Sequence, residues 1–367
     1  MPPAHPLDAV THPDPYPYYA ALARDRPLYR DRELGLWVAA HPDAISAVMR
    51  HPAARVRPVT EPVPPGLGPG PAADMFGRFV RMNDSAPREG LKALLADFIR
   101  RQALAPPPHA WRHPAPHDAA ALDCYLAAAP VHAQAAFLGL PPAVHAECAM
   151  DIGAFLAALP ANAAADRIAA GHAAAARLQA RLVSHLTGPH ASPALRALSA
   201  QAARSGIESD LLAANLTGLL FQSCEAGAGL LGNALVMAGR RRSPASFTRE
   251  DAGTLIDDVV RLDPPLHNTR RFMTATTDIG GHRIEAGEPI LLVLAAAAMI
   301  RPDAGWTFGA HRHACPGGLP ARRHAADALV HLLRAGVDPV ALAARFRYRP
   351  LPNARVPRFD FPKEDNP

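Results

Sequence analysis

Between about residues 118 and 240 the sequence predicts helix almost throughout, and this stretch limits the possible folds more than any other. Alanine dominates its apolar residues, which favours helix over strand. Short interruptions are predicted near 139–143, 159–163, 187–193 and 205–209. The middle of the predicted helix 209–239 is apolar on most sides, so we expect that helix to run through a core. The chain should therefore be mainly α-helical.

Short strands are predicted on both sides of this helical region. Residues 27–41 predict a hairpin, and residues 277–295 predict two turns followed by an apolar strand. We expect a single domain over residues 1–367, with a small sheet-containing part around these two segments. The helical part should cover 80–262 and 315–335.

Composition and charge exclude several classes of function. The net charge is +5 and the basic residues are scattered, which does not indicate a nucleic-acid-binding protein. No segment approaches the ~20 apolar residues that a membrane-spanning helix needs. The N-terminal segment is polar and proline-rich, unlike a signal peptide. We therefore expect a soluble, cytoplasmic protein.

The four cysteines lie at positions 124, 148, 224 and 315 and form no Cys-x-x-Cys pair. The first three lie in apolar helical stretches, where cysteine packs as a small hydrophobe. Cys315 instead lies among glycine, proline, histidine and arginine, at the start of a predicted helix. The free N–H groups of a helix start stabilise a thiolate, which is the form that binds a metal. On local sequence alone, an ordinary cysteine at a helix start is an equal alternative.

The residues around Cys315 resemble the haem-ligand loop of bacterial cytochromes P450. The matching positions are Phe308, Gly309, His313, Cys315 and Gly317. The family usually has a second glycine where this chain has the dipeptide Ala-His at 310–311. The resemblance implies haem b with the Cys315 thiolate as the axial iron ligand, an arrangement that favours O–O cleavage. It also implies a mainly α fold with small β-sheets, a helical prism with haem between the long central helix and the cysteine-loop helix.

Two further segments carry the resemblance. Asp258 and Arg261 are spaced to pair on one helix face, where the family has a buried Glu-x-x-Arg pair that supports the haem core. A surface ion pair is the alternative. Arg270 matches a family arginine that binds a haem propionate. Arg88 and Lys92 match the family's propionate contacts on an earlier helix; an ordinary solvated basic face is the alternative.

The central helix departs from the family pattern at its oxygen-activating residues. Glu225 matches the family's acidic residue, but Ala226 replaces the usual threonine, and Gln222 and Ser223 replace a small-residue pair. Oxygen activation requires proton delivery, which is general acid catalysis. These four residues are therefore the catalytic candidates, with a simple salt bridge as the alternative role for Glu225. The resemblance also places Phe221, Leu266 and His267 in the substrate pocket.

Two other departures concern the region around the cysteine loop. Only four residues separate Asp303 from Phe308, where the family has a longer segment packed beneath the haem. Pro320 falls inside the final predicted helix. If that helix starts at Cys315, proline removes a helix hydrogen bond there, so the alternatives are a later start or a kink.

Three functions are compatible with this sequence. The first is a monooxygenase that inserts oxygen into a small or medium organic molecule of the secondary-metabolite type, with electrons from a ferredoxin and its reductase. The second is a noncanonical haem-thiolate enzyme that uses peroxide or substrate-assisted chemistry. The third is a non-catalytic haem-binding homologue.

Overall fold

The computed structural model describes residues 1–84, 88–104, 114–189, 191–242 and 247–360. Most of these residues are helical, and the sheets are small, which confirms the predicted fold class. None of the described helices is both long and apolar enough to span a bilayer. The helices are α1 (Tyr16–Asp25), α2 (Pro42–Arg50), α3 (Pro71–Arg78), α4 (Glu89–Leu104), α5 (Ala119–Phe137), α6 (His145–Ala157), α7 (Ala165–Thr187), α8 (Pro193–Arg204), α9 (Ser209–Arg240), α10 (Arg249–Leu262), α11 (Leu294–Ile300), α12 (Gly318–Arg334) and α13 (Pro339–Ala344).

The strands form one five-stranded sheet and two hairpins. They are β1 (Leu28–Asp31), β2 (Leu36–Ala39), β3 (Ala54–Arg55), β4 (Thr269–Met273), β5 (Thr277–Ile279), β6 (His282–Ile284), β7 (Pro289–Leu292), β8 (Arg347–Tyr348) and β9 (Pro357–Arg358). The large sheet has the order β1-β2-β7-β4-β3, and β5-β6 and β8-β9 form the hairpins. The predicted hairpin at 27–41 is confirmed as the antiparallel pair β1-β2, while β2 and β7 pair in parallel.

Helix boundaries follow from local chemistry. His41 accepts a hydrogen bond from the Asp43 backbone N–H and so caps α2. Pro320 does not break α12, because the helix begins at Gly318 and Pro320 lies in its first turn, which is the later start that the sequence left open. Backbone N–H groups of a first turn have no partner within the helix, so proline removes nothing there.

The described residues divide into two compact units. Unit 1 contains the described residues of Met1–Arg55, Trp111–Leu126 and Glu225–Pro367, and unit 2 those of Val56–Ala110 and Ala127–Cys224. The boundary between Cys224 and Glu225 falls within α9. The prediction of a single domain stays a prediction.

The central strands of unit 1 are covered on both faces. Val38 and Leu291 belong to a core cluster with α1, whereas Ala39 and Ile290 belong to a second cluster with α2. Burial on both faces explains why the predicted strand near 290 is an unbroken apolar run. In unit 2 the core includes a cluster of aromatic rings with centroids 5.1 to 6.4 Å apart, formed by Phe76, Phe79, Phe155 and Phe221.

A buried ion pair lies in unit 1. The Arg355 side chain is 1% exposed, and its Nε donates to Asp263 Oδ1 at 2.7 Å. The Tyr16 hydroxyl also donates to Asp263, and the Tyr348 ring centroid lies 3.5 Å from the Arg355 guanidinium carbon. The remaining Arg355 donors bond backbone carbonyl oxygens of Val10, His12 and Pro13. The pair is thus hydrogen-bonded on several sides, as a buried charge requires.

Candidate functional site

The cysteine loop of unit 1 consists of residues 307–318 and leads directly into α12. The Cys315 N–H donates to the Phe308 carbonyl oxygen at 2.7 Å, which closes the loop, and Cys315 is exposed. Gly309 has a φ of +68°, and a Cβ there would lie 2.9 Å from the His313 carbonyl oxygen. Only glycine fits that position. The five residues of the sequence motif are therefore brought together in one loop.

Small residues leave the Cys315 thiol accessible. A Cβ added at Gly317 would lie 3.6 Å from Cys315 Sγ, and one at Gly318 would lie 3.5 Å from the Phe308 ring. The departure from the family's second glycine has a local consequence, because His311 takes a φ of +57°. This left-handed conformation costs a non-glycine residue on the order of 1 kcal/mol.

Side chains of neighbouring segments hold the loop in place. Arg312 donates to the Ala54 carbonyl oxygen, and Arg50 Nε donates to His311 Nε2 at 3.3 Å. The Arg322 guanidinium lies 4.7 Å from the Phe308 ring centroid, which is cation–π geometry. The loop is therefore anchored by the sheet edge, by α2 and by α12.

Asp258 and Arg261 pair as their spacing predicts, but in a partly exposed position. Arg261 Nη2 donates to Asp258 Oδ1 at 2.7 Å, and Arg241 Nη1 donates to the other carboxylate oxygen at the same distance. Hydrogen bonds from Arg261 and then Arg241 lower the pKa of Asp258. The neighbouring Asp257 forms an ion pair with Arg322, whose Nε lies 3.0 Å from Asp257 Oδ1.

The four catalytic candidates occupy positions 222, 223, 225 and 226 of α9. Gln222 Nε2 donates to the Gly218 carbonyl oxygen and Ser223 Oγ to that of Leu220, both at 2.7 Å. Both side chains are therefore already hydrogen-bonded to backbone carbonyl oxygens of the preceding turn of α9. Glu225 and Ala226 are half-buried. Burial raises the pKa of the Glu225 carboxyl, and the Arg349 charge partly opposes that rise.

The three predicted pocket residues have different surroundings. Phe221 is 8% exposed and lies in the aromatic cluster of unit 2. His267 is fully buried in unit 1, with its Nδ1 2.9 Å from the Tyr19 hydroxyl. Burial, followed by the Arg355 charge, holds the pKa of His267 well below its usual value. Leu266 forms a β-bridge with Ala354.

The predicted propionate arginine lies on β4 beside a second arginine that sequence reasoning missed. Arg270 is exposed, whereas Arg271 on the opposite face of the strand is 3% exposed. Arg271 Nη1 donates to Thr269 Oγ1 and to the Arg270 carbonyl oxygen. The alternation of side chains along a strand was the sequence signal that could have distinguished Arg270 from Arg271, because adjacent residues point to opposite faces of the sheet.

The two cationic candidates of unit 2 lie at the start of α4. Arg88 immediately precedes the helix, is partly buried and donates to the Arg78 carbonyl oxygen. Burial, followed by the Arg78 charge, lowers the pKa of Arg88. Lys92 is half-buried on the first turn of α4.

Two clefts in the described part of the chain bear on the site. A cleft of about 650 Å³ in unit 2 is lined by α3, α7 and the first turn of α9, and it contains none of the predicted site residues. A cleft of about 440 Å³ in unit 1, the α10–α12 cleft, is lined by residues 257–266, 294–307 and 319–322. Arg261 and Leu266 are among its lining residues.

Among the comparisons with known proteins, only the comparison with solved structures gives matches, and these cover nearly the whole chain. No protein-family model and no curated protein sequence matches. The crystal structure of CalO2 superposes with a TM-score of 0.75 at 20% identity, over 98% of this chain and 99% of that chain. P450 RauA, solved with a biosynthetic intermediate of aurachin RE, gives 0.69 at 20% identity over 94% of each chain. CYP164A2 of Mycobacterium smegmatis gives 0.64 at 21% identity over 96% and 97%.

Proposed function

Since this chain has the cytochrome P450 fold, we propose that it is a haem-thiolate oxidoreductase whose iron is bound by Cys315. The observation that carries the proposal is the cysteine loop, which presents an exposed thiol just before the N-terminus of α12. Partial positive charge at a helix N-terminus favours the thiolate. When bound, the haem would supply the activation of oxygen, the chemistry that thiolate ligation promotes.

The residues around Cys315 fit a flat cofactor. Glycine at 317 removes side-chain bulk beside the thiol, since a Cβ there would lie 3.6 Å from Sγ, and Gly309 lets the loop backbone turn tightly at a φ of +68°. The hydrogen bond from Cys315 N–H to the Phe308 carbonyl fixes the backbone that carries the sulfur. Phe308, Gly309, His313 and Gly317 are therefore proposed to shape the binding surface, and Cys315 to ligate the metal.

We propose a monooxygenase that acts on a small or medium organic substrate, with a ferredoxin as electron donor. RauA was solved with a biosynthetic intermediate, which supports a substrate of the secondary-metabolite type. Glu225 is the proposed proton donor because burial raises its pKa and keeps it protonated to higher pH. Phe221, Leu266 and His267 stay predicted pocket residues.

A specific observation supports a second candidate, peroxide-dependent or substrate-assisted chemistry. The Gln222 and Ser223 side chains already donate to carbonyl oxygens of α9, and Ala226 has no hydroxyl. Proton delivery would then depend on Glu225 or on the substrate. Peroxide supplies both oxygen atoms and both electrons, so that route needs no ferredoxin.

The reduced protein treated with carbon monoxide provides the first test. A red-shifted Soret band in the difference spectrum is expected if a thiolate binds the iron. Turnover of a panel of small and medium organic substrates of the secondary-metabolite type with ferredoxin and reductase, and separately with hydrogen peroxide, then distinguishes the two candidates. A protein that binds no haem after reconstitution would contradict both.

Glu225→Gln is expected to lower ferredoxin-supported product formation about a hundredfold, the usual contribution of a positioned general acid. A proton donor must be protonated to act. Because burial raises the pKa of Glu225, the wild-type rate should fall as the pH rises through that raised pKa. The variant should lack this fall. The measurement is the rate against pH, with Glu250→Gln, an exposed residue of α10, as the control. Identical profiles for wild type and Glu225→Gln would exclude the assigned role.

Arg271→Gln is expected to weaken haem binding by roughly ten- to hundredfold, which corresponds to the loss of a hydrogen bond to a charged group. Arg270→Gln is the matched control on the exposed face of the same strand, and it should change binding little. We propose Arg271 as the stronger propionate contact because its guanidinium is buried, where a hydrogen bond to a charged group is electrostatically stronger than at an exposed position. Arg270 is the partner that the sequence resemblance implies, and Arg88 and Lys92 stay predicted propionate contacts.

Haem affinity of both variants is measured by titration of the apoprotein with haemin. If Arg270→Gln instead weakens haem binding more than Arg271→Gln does, Arg270 is the stronger propionate contact.

A further inference from the structure

Helix α3 in unit 2 has no capping side chain of its own. Its N-cap residue is Gly70, which has no side chain, and the next residue is Pro71, which has no backbone N–H. The first N–H of the helix therefore belongs to Ala72, and N–H groups of a first turn have no acceptor within their own helix. Such a group needs a hydrogen-bond partner from elsewhere in the protein.

The partner is the His172 side chain of α7. Its Nδ1 accepts a hydrogen bond from the Ala72 N–H at 3.1 Å, and its Nε2 lies 2.9 Å from the carbonyl oxygen of Leu67. The ring lies against Gly70, where an added Cβ would be 2.8 Å from Nδ1. His172 thus joins both sides of the turn between Leu67 and Ala72, and the missing side chain of Gly70 lets the ring approach.

These two contacts require the neutral imidazole in one tautomer. The Ala72 N–H can only donate, so Nδ1 must carry a lone pair, and the Leu67 carbonyl can only accept, so Nε2 must carry the hydrogen. Protonation places a hydrogen on both nitrogens. The bond from Nε2 to Leu67 then persists, whereas the Nδ1–H faces the N–H of Ala72 and the two donors repel each other.

The charge of a protonated ring would also be unfavourable at this position. A helix N-terminus carries partial positive charge, so an imidazolium next to the first turn of α3 is repelled. Of the charged residues of α3, Asp74 would favour the imidazolium and Arg78 would disfavour it.

The other segments at this level carry no charged residue. The segment that His172 bonds, residues 64–73, and the flanking turns of α7, residues 168–176, contain no other titratable side chain. Helix α6 meets α7 here through Ala158, which lies beside Gly171. The carboxylates of α6 instead pair with arginines further along α7, as Asp151 with Arg177 and Arg181, and Glu147 with Arg181.

We propose that His172 is a pH-sensitive latch on the N-terminus of α3. The neutral ring holds Leu67 and Ala72 together, whereas the protonated ring keeps Leu67 but releases Ala72, so the first turn of α3 loses its cap. Leu67 is 1% exposed in the core of unit 2, which keeps its side of the turn in place. Pro71 and Ala176, close to the latch in the chain, line the cleft of about 650 Å³. Acidification therefore loosens one wall of that cleft.

Amide hydrogen exchange of the full-length protein tests the latch between about pH 8 and about pH 5, the range in which histidine changes its charge. Exchange is read at single residues by mass spectrometry with electron-transfer fragmentation, and each rate is divided by that of an unstructured peptide at the same pH. The Ala72 amide is expected to lose protection about five- to tenfold at the lower pH, the effect of one hydrogen bond. The Leu67 amide, which donates to the Pro64 carbonyl oxygen, should keep its protection.

Three variants separate the titration of His172 from other effects of pH. His172→Gln keeps an acceptor and a donor on one side chain but cannot take up a proton, so the protection of Ala72 should no longer depend on pH. His145→Gln is the matched control, because His145 Nε2 also contacts a backbone carbonyl oxygen in unit 2, and it should behave like the wild type. Gly70→Ala displaces the ring and should leave Ala72 weakly protected at both pH values.

Thermal unfolding verifies that each variant is folded, and the comparison of Ala72 with Leu67 in the wild type needs no variant. The proposal is overturned if Ala72 in the wild type keeps its protection at the lower pH, or if Leu67 loses as much as Ala72. An equal loss in the wild type and in His172→Gln would also overturn it. Because exchange is measured without turnover, the latch and the proposed function can fail separately.

Discussion

Replacing Cys315 with alanine is expected to eliminate the red-shifted Soret band of the reduced, carbon monoxide-treated protein. The band requires a thiolate as iron ligand, and Cys315 is the thiol that the loop presents at the start of α12. The effect should be all-or-none, because alanine has no atom that can replace the ligand. The measurement is the difference spectrum at matched protein and haem concentration.

Cys124→Ala is the control for this experiment, since Cys124 is also an exposed cysteine. It lies on α5 without a surrounding glycine loop, so its removal should leave the band unchanged. Retention of the band in Cys315→Ala would mean that another group ligates the iron, and the function proposed above would lose its basis.

Replacing Arg355 with methionine is expected to lower the free energy of unfolding by about 3 to 5 kcal/mol, the usual cost of breaking a buried ion pair. Methionine keeps much of the side-chain volume but leaves the Asp263 carboxylate, 7% exposed, without its cationic partner. Three backbone carbonyl oxygens lose donors at the same time. Equilibrium urea denaturation of the variant and the wild type measures the difference.

Arg249→Met provides the matched control, because Arg249 pairs with Asp327 in a largely exposed position. Exposed pairs contribute about 0 to 1 kcal/mol, so this variant should unfold near the wild-type midpoint. The double variant Asp263→Asn with Arg355→Met should recover part of the loss, since it removes the uncompensated charge. Equal effects of Arg355→Met and Arg249→Met would show that the network of Arg355 adds nothing beyond a surface pair.

The elements with strong local signals could be predicted from the sequence. The long apolar stretch predicted α9 to within a residue of its observed ends, and the turn residues between 31 and 36 predicted the β1-β2 hairpin. The spacing of Asp258 and Arg261 predicted their pairing. These features depend on residues close together in the chain, for which sequence patterns are informative.

Features that depend on distant parts of the chain could not be predicted. Which of Arg270 and Arg271 is buried depends on which face of β4 packs against the core. A shift of one residue in the register of the strand would exchange the two positions. The second partner of Asp258 is Arg241, which follows the end of α9 and is separated from Asp258 by 17 positions in the chain. The left-handed backbone of His311 belongs to the closed cysteine loop, and local sequence does not predict it because few non-glycine residues adopt a positive φ.

The hydrogen bonds from Arg355 to the backbone carbonyl oxygens of the N-terminal segment can form only late in the synthesis of the chain. Arg355 and Val10 are separated by 345 positions, so the N-terminal segment emerges from the ribosome long before its partner exists. Until then Asp263 and the carbonyls of residues 10–13 must remain hydrated, and unit 1 cannot complete its core. Contacts of such long sequence separation slow folding and prolong the lifetime of partly folded chains. Nascent chains that stop before residue 355 should therefore depend on chaperones and be cleaved first near their N-terminus.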